Sequence, residues 1–337
     1  MKAVVLTEHG GNDKFVFDAN YPDPRPEAGD AVLRVRACTL NYHDIFTRNG
    51  MPGIKVPLPI VIGIDLAGEI VECGREVAGF KVGDRVVVDP IDRVKGGLMG
   101  EMFDGGFAEY VRVPAHMLVK LDGAISFAEA AAIPCAYGTA HRMTITRGKI
   151  RPGEKVLVLG ASGGVGSCCV QLAKAAGATV IAAASSQAKL DKLAALGADI
   201  GLNYAEGDWV RECQQRFGRA RVGPRDQGGI DVVINFTGGD TWTKSLRVMR
   251  RDGRMLTCGA TAGYDPKEDI RFIWTFELNI TGSNGWGRED VEALLAMARD
   301  GKLKPELHHE RFPLERAADA MAALESRAFF GKIVIEP

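Results

Sequence analysis

The chain has 337 residues, 46% hydrophobic and 25% charged, which supplies a sizeable core and excludes general disorder. That length implies two domains at about 150 residues each. Lysine plus arginine (42) nearly cancels aspartate plus glutamate (43), so no bulk charge draws the chain to nucleic acid or an anionic membrane.

Residues 1 to about 125 read as short strands and turns. "AVLRVRACTL" and "VGDRVVV" are β-rich, and "YPDPRPEAGD" and "REVAGFKVGD" carry turn chemistry. The loop "DPIDRVKGGLMGEMFDGG" is glycine-rich and reads as mobile. From about 126, strands such as "KVLVLG", "TVIAAA", "DVVINF" and "RMLTCG" alternate with the helical runs "SQAKLDKLAALGA" and "DTWTKSLRVMRRDG". That alternation predicts a parallel sheet covered on both faces. After about 283, the helical "EDVEALLAMARDGKL" and "LERAADAMAALESR" lead to a last strand, "GKIVIEP".

No apolar run approaches the roughly 18 residues of a spanning helix, and "MKAVVLTEHGG" turns polar too soon for a signal peptide. Seven irregularly spaced cysteines do not form a disulfide framework. A soluble cytoplasmic protein is expected.

Between a predicted strand and helix lies "ASGGVG", residues 161–166. Ser162, Gly163, Gly164 and Val165 form the turn, whose glycines let backbone approach a pyrophosphate at the positive end of the next helix. Gly166 lets that helix pack on the strand, and Ala161 replaces the first glycine of the usual GxGxxG. A tight turn without a ligand has the same local pattern; the surrounding βαβ unit favours the nucleotide. About 20 residues further on, an NAD site places an acid against the ribose hydroxyls. Here the strand ends at Ala184, followed by Ser185, Ser186 and Lys189. Hydroxyls and a cation suit a 2′-phosphate, which an acid would repel, so NADPH is the expected cofactor.

Together "GDRVVV", "GGFAEYVRVPA", "AAIPCAYGTA", "GEKVLVLGASGGVG" and "GKIVIEP" resemble the medium-chain dehydrogenase/reductase superfamily, in family order along the whole chain. The resemblance implies an α/β protein of two domains. One is a GroES-like β-rich catalytic domain, 1–125 completed by about 284–337. The other is a Rossmann domain with a doubly wound parallel sheet, 126–283, and the active site would lie in the cleft. Zinc-dependent members have a cysteine, a histidine and a third ligand where this chain has Asn41 in "LNYHD", Ile64 in "GID" and Cys135 in "PCA". One thiolate cannot hold a metal that needs about three protein ligands. Cys38 and His43 are the nearby residues from which a rearranged site would have to be built, and Cys135 is expected as a small buried apolar residue. The family's four-cysteine lobe is missing between Asp89 and Phe107.

"LNYHD" is instead similar to the zinc-independent quinone oxidoreductase branch. That likeness implies a 2′-phosphate grip by Lys189, Tyr204 and Arg327, and nicotinamide neighbours at Asn41, Thr139 and Asn284. Cys258, after "RMLT", joins the expected cofactor contacts. Asn41, Tyr42 and His43 are the catalytic candidates. His43 could donate a proton after hydride transfer or act as a structural hydrogen-bonder; Tyr42 could stack, donate or pack. Asp44 and Asp65 are expected to orient loops, and Cys168 and Cys169 to pack. The expected function is hydride transfer from NADPH to a quinone or an enone without metal. The alternatives are an NADPH-dependent enoyl-CoA reductase and a non-enzymatic NADPH-binding, crystallin-like or RNA-binding protein. The expected partners are a quinone, enone or enoyl thioester, with no nucleic acid and no membrane. The resemblance also implies a homodimer pairing strands around "LNITGS".

Overall fold

A computed structural model describes residues 1–51, 53, 55–223 and 228–337. The chain divides into two compact units, Met1–Ala136 with Arg288–Pro337, and Tyr137–Gly287.

Among the described residues, the first unit carries ten strands: β1 (Ala3–Leu6), β2 (Phe15–Asp18), β3 (Asp30–Thr39), β4 (Ile60–Val61), β5 (Asp65–Cys73), β6 (Arg85–Val88), β7 (Tyr110–Pro114), β8 (Leu118–Lys120), β15 (Leu307–Phe312) and β16 (Lys332–Ile335). One sheet runs β2-β1-β4. The other runs β15-β16-β3-β5-β6-β8, with β7 also on β3. In β3, buried Leu33, Val35 and Ala37 alternate with exposed Arg34 and Arg36, the period of a half-buried strand. Thr39 pairs with Asp65 of β5 and with Val334 of β16, so the end of β3 meets both neighbours at one place.

Among the described residues, four α-helices belong to this unit: α1 (Tyr42–Asn49), α2 (Phe127–Ala131), α9 (Arg288–Arg299) and α10 (Ala317–Ser326). The sequence texture showed no α1. It is eight residues long and stopped by Gly50 at φ +80°, the left-handed conformation that glycine adopts without strain. Residues 126–136 fall with this unit because they bond to its strands. The Thr39 hydroxyl donates to the Ala131 carbonyl at 2.9 Å, and the Cys135 N–H donates to Asp65 Oδ1 at 2.9 Å.

Only part of the glycine-rich loop expected to be mobile is packed, and Arg93–Gly96 are exposed. Met99 is fully buried, and a Cβ on Gly100 or Gly105 would meet the Gly63 backbone at 2.8 and 2.3 Å. Gly100 and Gly105 serve close approach, whereas Gly96, at φ +82°, stands in open space.

The second unit holds β9 (Lys155–Val158), β10 (Thr179–Ala184), β11 (Ile200–Asn203), β12 (Ile230–Ile234), β13 (Met249–Thr257) and β14 (Asn279–Gly282). They form one parallel sheet in the order β11-β10-β9-β12-β13-β14, which reverses direction between β9 and β12. Its helices are α3 (Gly138–His141), α4 (Gly164–Ala175), α5 (Gln187–Ala195), α6 (Trp209–Phe217), α7 (Asp240–Leu246) and α8 (Arg271–Thr275). The run "DTWTKSLRVMRRDG" is helical only to Leu246; from Met249 it is strand, because Met249 takes a place in the ladder opposite Ile230.

Candidate active site

In the second unit, the expected cofactor residues gather at one end of the sheet. Ser162–Val165 follow β9, Ser185 and Ser186 follow β10, and Tyr204 follows β11. Cys258 follows β13 and Asn284 stands two residues beyond β14. These are the carboxyl ends of parallel strands, where open α/β sheets bind ligands beside the switch in strand order.

The glycine turn shows why its sequence departs from the common motif. Gly160 takes the left-handed turn conformation at φ +64°, so Ala161 need not. A Cβ on Gly166 would lie 2.4 Å from the Gly160 carbonyl oxygen and 2.6 Å from Ala161 Cα, so helix and turn touch through glycine. Gly163 is the N-cap of α4, and the space where its Cβ would stand holds only the Gly160 oxygen, at 3.8 Å. That opening at a helix N-terminus fits an anionic pyrophosphate.

At the end of β10, the Tyr204 N–H donates to the Ala184 carbonyl at 3.2 Å, which sets Tyr204 beside Ser185. Ser186 caps α5, its Oγ accepting from the Lys189 N–H at 3.4 Å. Lys189 is partly buried, and that burial lowers its pKa. The Asn203 Nδ2 atom is buried here without a hydrogen-bond partner, a donor that a phosphate could use. Four expected residues thus stand at the ends of the neighbouring strands β10 and β11, and the positions directly after Ala184 carry serines in place of an acid.

Cys258 and Asn284 line a groove of about 480 Å³ with Arg142, Arg147 and Ser283. Burial pushes the Cys258 thiol up to about 12, so it stands as an uncharged wall. Thr139 lies half-buried in α3 and does not line this groove.

In the first unit, Asn41 precedes α1 and is 7% exposed. Its Nδ2 donates to Asp65 Oδ2 at 2.9 Å, and its Oδ1 accepts from Lys332 Nζ at 2.5 Å. Lys332 also donates to Asp65 Oδ2 at 3.2 Å, and the ammonium and carboxylate are 3% and 0% exposed. Burial raises the pKa of Asp65, opposed by Lys332 and by the Asn41 and Cys135 hydrogen bonds. The Asn41 N–H donates to Asp44 Oδ2 at 2.7 Å. Burial lifts Asp44 to about 6, and its Oδ1 has no partner. Asp65 and Asp44 therefore hold Asn41 itself as well as the loop around it.

Tyr42 meets Phe46 edge-on at 5.5 Å, and the Arg327 guanidinium lies 5.9 Å from its ring centroid. Arg327 thus belongs to the first unit, at a left-handed position after α10. His43 Nε2 is hydrogen-bonded to Glu101 Oε2, a partner without any signal in the sequence. Lys332 did leave a signal: a lone charge in a terminal apolar strand needs a buried partner. Cys135 is half-buried rather than buried, and Cys168 and Cys169 are fully buried. No group of three or more His, Cys, Asp or Glu side chains among the described residues could hold a metal ion. A cavity of about 630 Å³ elsewhere in the first unit includes none of Asn41, Tyr42 and His43 in its lining. Among the described residues, no helix is long and apolar enough to cross a membrane.

A Rossmann-like unit with ligand-ready strand ends, joined to a β-rich unit, defines a dehydrogenase that uses a pyridine nucleotide. The alcohol dehydrogenase GroES-like domain family matches residues 27–123, and the zinc-binding dehydrogenase family matches residues 164–300. The chain is 31% identical to the chloroplastic NADPH-dependent alkenal/one oxidoreductase of Arabidopsis thaliana, over 100% of this chain and 80% of that protein. It is 30% identical to the quinone oxidoreductase of Lama guanicoe, over 99% of this chain and 97% of that one. A solved structure of an NAD-dependent alcohol dehydrogenase matches with a TM-score of 0.91 at 34% identity, with both chains covered completely. The chain belongs to the medium-chain dehydrogenase/reductase superfamily, in its quinone-oxidoreductase-like branch.

Proposed function

We propose that this protein is an NADPH-dependent, zinc-independent reductase of quinones or of double bonds conjugated to a carbonyl. The observation that carries the proposal is Asn41, in the place of the first metal ligand. Its amide is tied to a buried carboxylate and ammonium, which is a hydrogen-bonded support and not a metal-ligating set. The Arabidopsis relative is named for NADPH and alkenals or enones, and the llama relative for quinones.

NADPH, when bound, supplies the hydride. Gly163, Gly164 and the first turn of α4 hold the pyrophosphate, and Ser185, Ser186, Lys189 and Tyr204 bind the 2′-phosphate. Cys258, Asn284 and Thr139 bound the nicotinamide. A conjugated acceptor spreads the incoming charge over its own π system, so positioning and a few hydrogen bonds suffice where a ketone would need a Lewis acid. Tyr42 and His43 offer a proton to the enolate formed from a conjugated double bond, whereas a reduced quinone takes its protons from water.

A homodimer is supported by β14, which ends the parallel sheet and leaves Ile280 39% exposed on an edge open to pairing. A second reading, oxidation of alcohols with NAD, is favoured by the 34% identity to the solved NAD-dependent alcohol dehydrogenase. The deciding test is nucleotide turnover with a panel of quinones, enones, enoyl-CoAs, ketones and alcohols. NADPH consumption with enones or quinones is expected, and activity confined to alcohols and ketones would overturn the proposal.

A further inference from the structure

We infer that Glu101 is the positioning residue of a proton-donating pair with His43, a role that rests on the reductase reading above. His43 stands in the first turn of α1, and Glu101 comes from the loop between β6 and β7, 58 positions away. The Glu101 side chain is 8% exposed, and His43 is its hydrogen-bond partner among the described residues. A carboxylate taken from water needs such a partner. Glu101 is also held from below, since its N–H donates to Leu98 O at 3.2 Å and the Gly100 N–H to Phe103 O at 2.8 Å. The loop that delivers it is the glycine-rich one packed against Gly63.

A latch fastening a loop to a helix would need the same contact, but it would not need what the rest of the ring shows. The His43 side chain is 32% exposed, and Nδ1 has no hydrogen-bond partner among the described residues. Phe46 meets the ring edge-on at 6.3 Å, and so restrains its tilt. One nitrogen is therefore fixed by a carboxylate, and the other is left without a hydrogen-bond partner among the described residues, on a partly exposed ring. The charged groups near the ring are Glu101 from the loop and Asp44 from its own helix. Burial works against the imidazolium, yet these two carboxylates outweigh it and raise the pKa of His43.

The step balances without a further reagent. Once hydride from NADPH has reached the β-carbon of an enone, the electron pair of the former double bond lies on the enolate. The Nδ1–H bond of the imidazolium breaks as a C–H bond forms at the α-carbon. Neutral imidazole remains with its Nε2–H donated to Glu101, and solvent returns the proton to Nδ1. A reduced quinone takes its protons on oxygen directly from water, so it has no need of the pair.

The experiment compares the whole protein with Glu101→Gln, Glu101→Asp and His43→Gln on an enone and on a quinone. Nitrogen-15 NMR of the histidines in cofactor-free protein gives a second readout. The expected result for Glu101→Gln is a loss of about tenfold in kcat with the enone, KM and the quinone rate being unchanged. His43→Gln should lose about a hundredfold with the enone only, and Glu101→Asp should recover part of the Glu101→Gln loss. In the NMR titration of Glu101→Gln, the His43 midpoint should move to lower pH. Equal losses with both substrates would mark the pair as a latch and overturn the inference. So would an unchanged enone rate in both His43→Gln and Glu101→Gln, while leaving the reductase reading intact. A wild-type protein inert toward every enone and quinone would overturn both.

Discussion

The ammonium of Lys332 lies 2.5 Å from the Asn41 amide oxygen and 3.2 Å from Asp65, so the last strand of the chain fixes the entrance to α1. Removing one partner of a buried ion pair strands the other, at about 3–5 kcal/mol. Lys332→Met should therefore destabilise the protein by that order at neutral pH. With the cation gone, the pKa of Asp65, already raised by burial, rises further. The folded protein then keeps a proton that the unfolded chain gives up, so stability falls as pH rises through the window between the two values. Urea denaturation should show a larger deficit at pH 8 than at pH 5. An equal deficit at both would show that Lys332 acts by packing alone.

Asp44 gives a second linkage of the same sign. Its folded pKa of about 6 lies above the ordinary aspartate value of 3.8, so its ionisation opposes folding as pH rises from about 4 to 6. The integrated effect is on the order of 3 kcal/mol. Asp44→Asn keeps an oxygen to accept the Asn41 N–H and removes the charge. Its stability should vary less between pH 4 and 7 than that of the wild type, and parallel profiles would count against the assignment.

In the proposed function, cofactor choice turns on Ser185, Ser186, Lys189 and Tyr204. A charge-assisted contact to phosphate is worth about 1.5–3 kcal/mol, roughly ten- to a hundredfold in affinity. Lys189→Ala should weaken NADPH binding by that factor in a fluorescence titration and leave NADH nearly unchanged. Equal losses for both nucleotides would show that Lys189 does not read the phosphate.

Metal independence is tested on protein purified without chelator. Elemental analysis should find no stoichiometric zinc, and exhaustive dialysis against a chelator should leave the enone or quinone rate intact. One zinc per chain whose removal abolishes turnover would refute the assignment, and with it the weight placed on Asn41 and Ile64.

The amino-acid sequence determined by itself what local pattern can carry. Strand–helix alternation announced the parallel-sheet unit, because period and turn chemistry are read within a dozen residues. The glycine turn and the missing acid after Ala184 were legible for the same reason. Even there the pattern overshot, carrying the helix of α7 beyond Leu246, because a ladder position at Met249 outweighed helical periodicity. Short α1 was not legible, since its eight residues span barely two turns and follow directly on a β-rich run.

Only the tertiary structure decided what surrounds the catalytic candidates. Asn41 and Lys332 are 291 positions apart, and they meet because Thr39 pairs at once with Asp65 and Val334. Glu101 reaches His43 because glycines let its loop lie against the Gly63 backbone. Such pairs follow from strand register and close packing across the chain, and no local spacing encodes them.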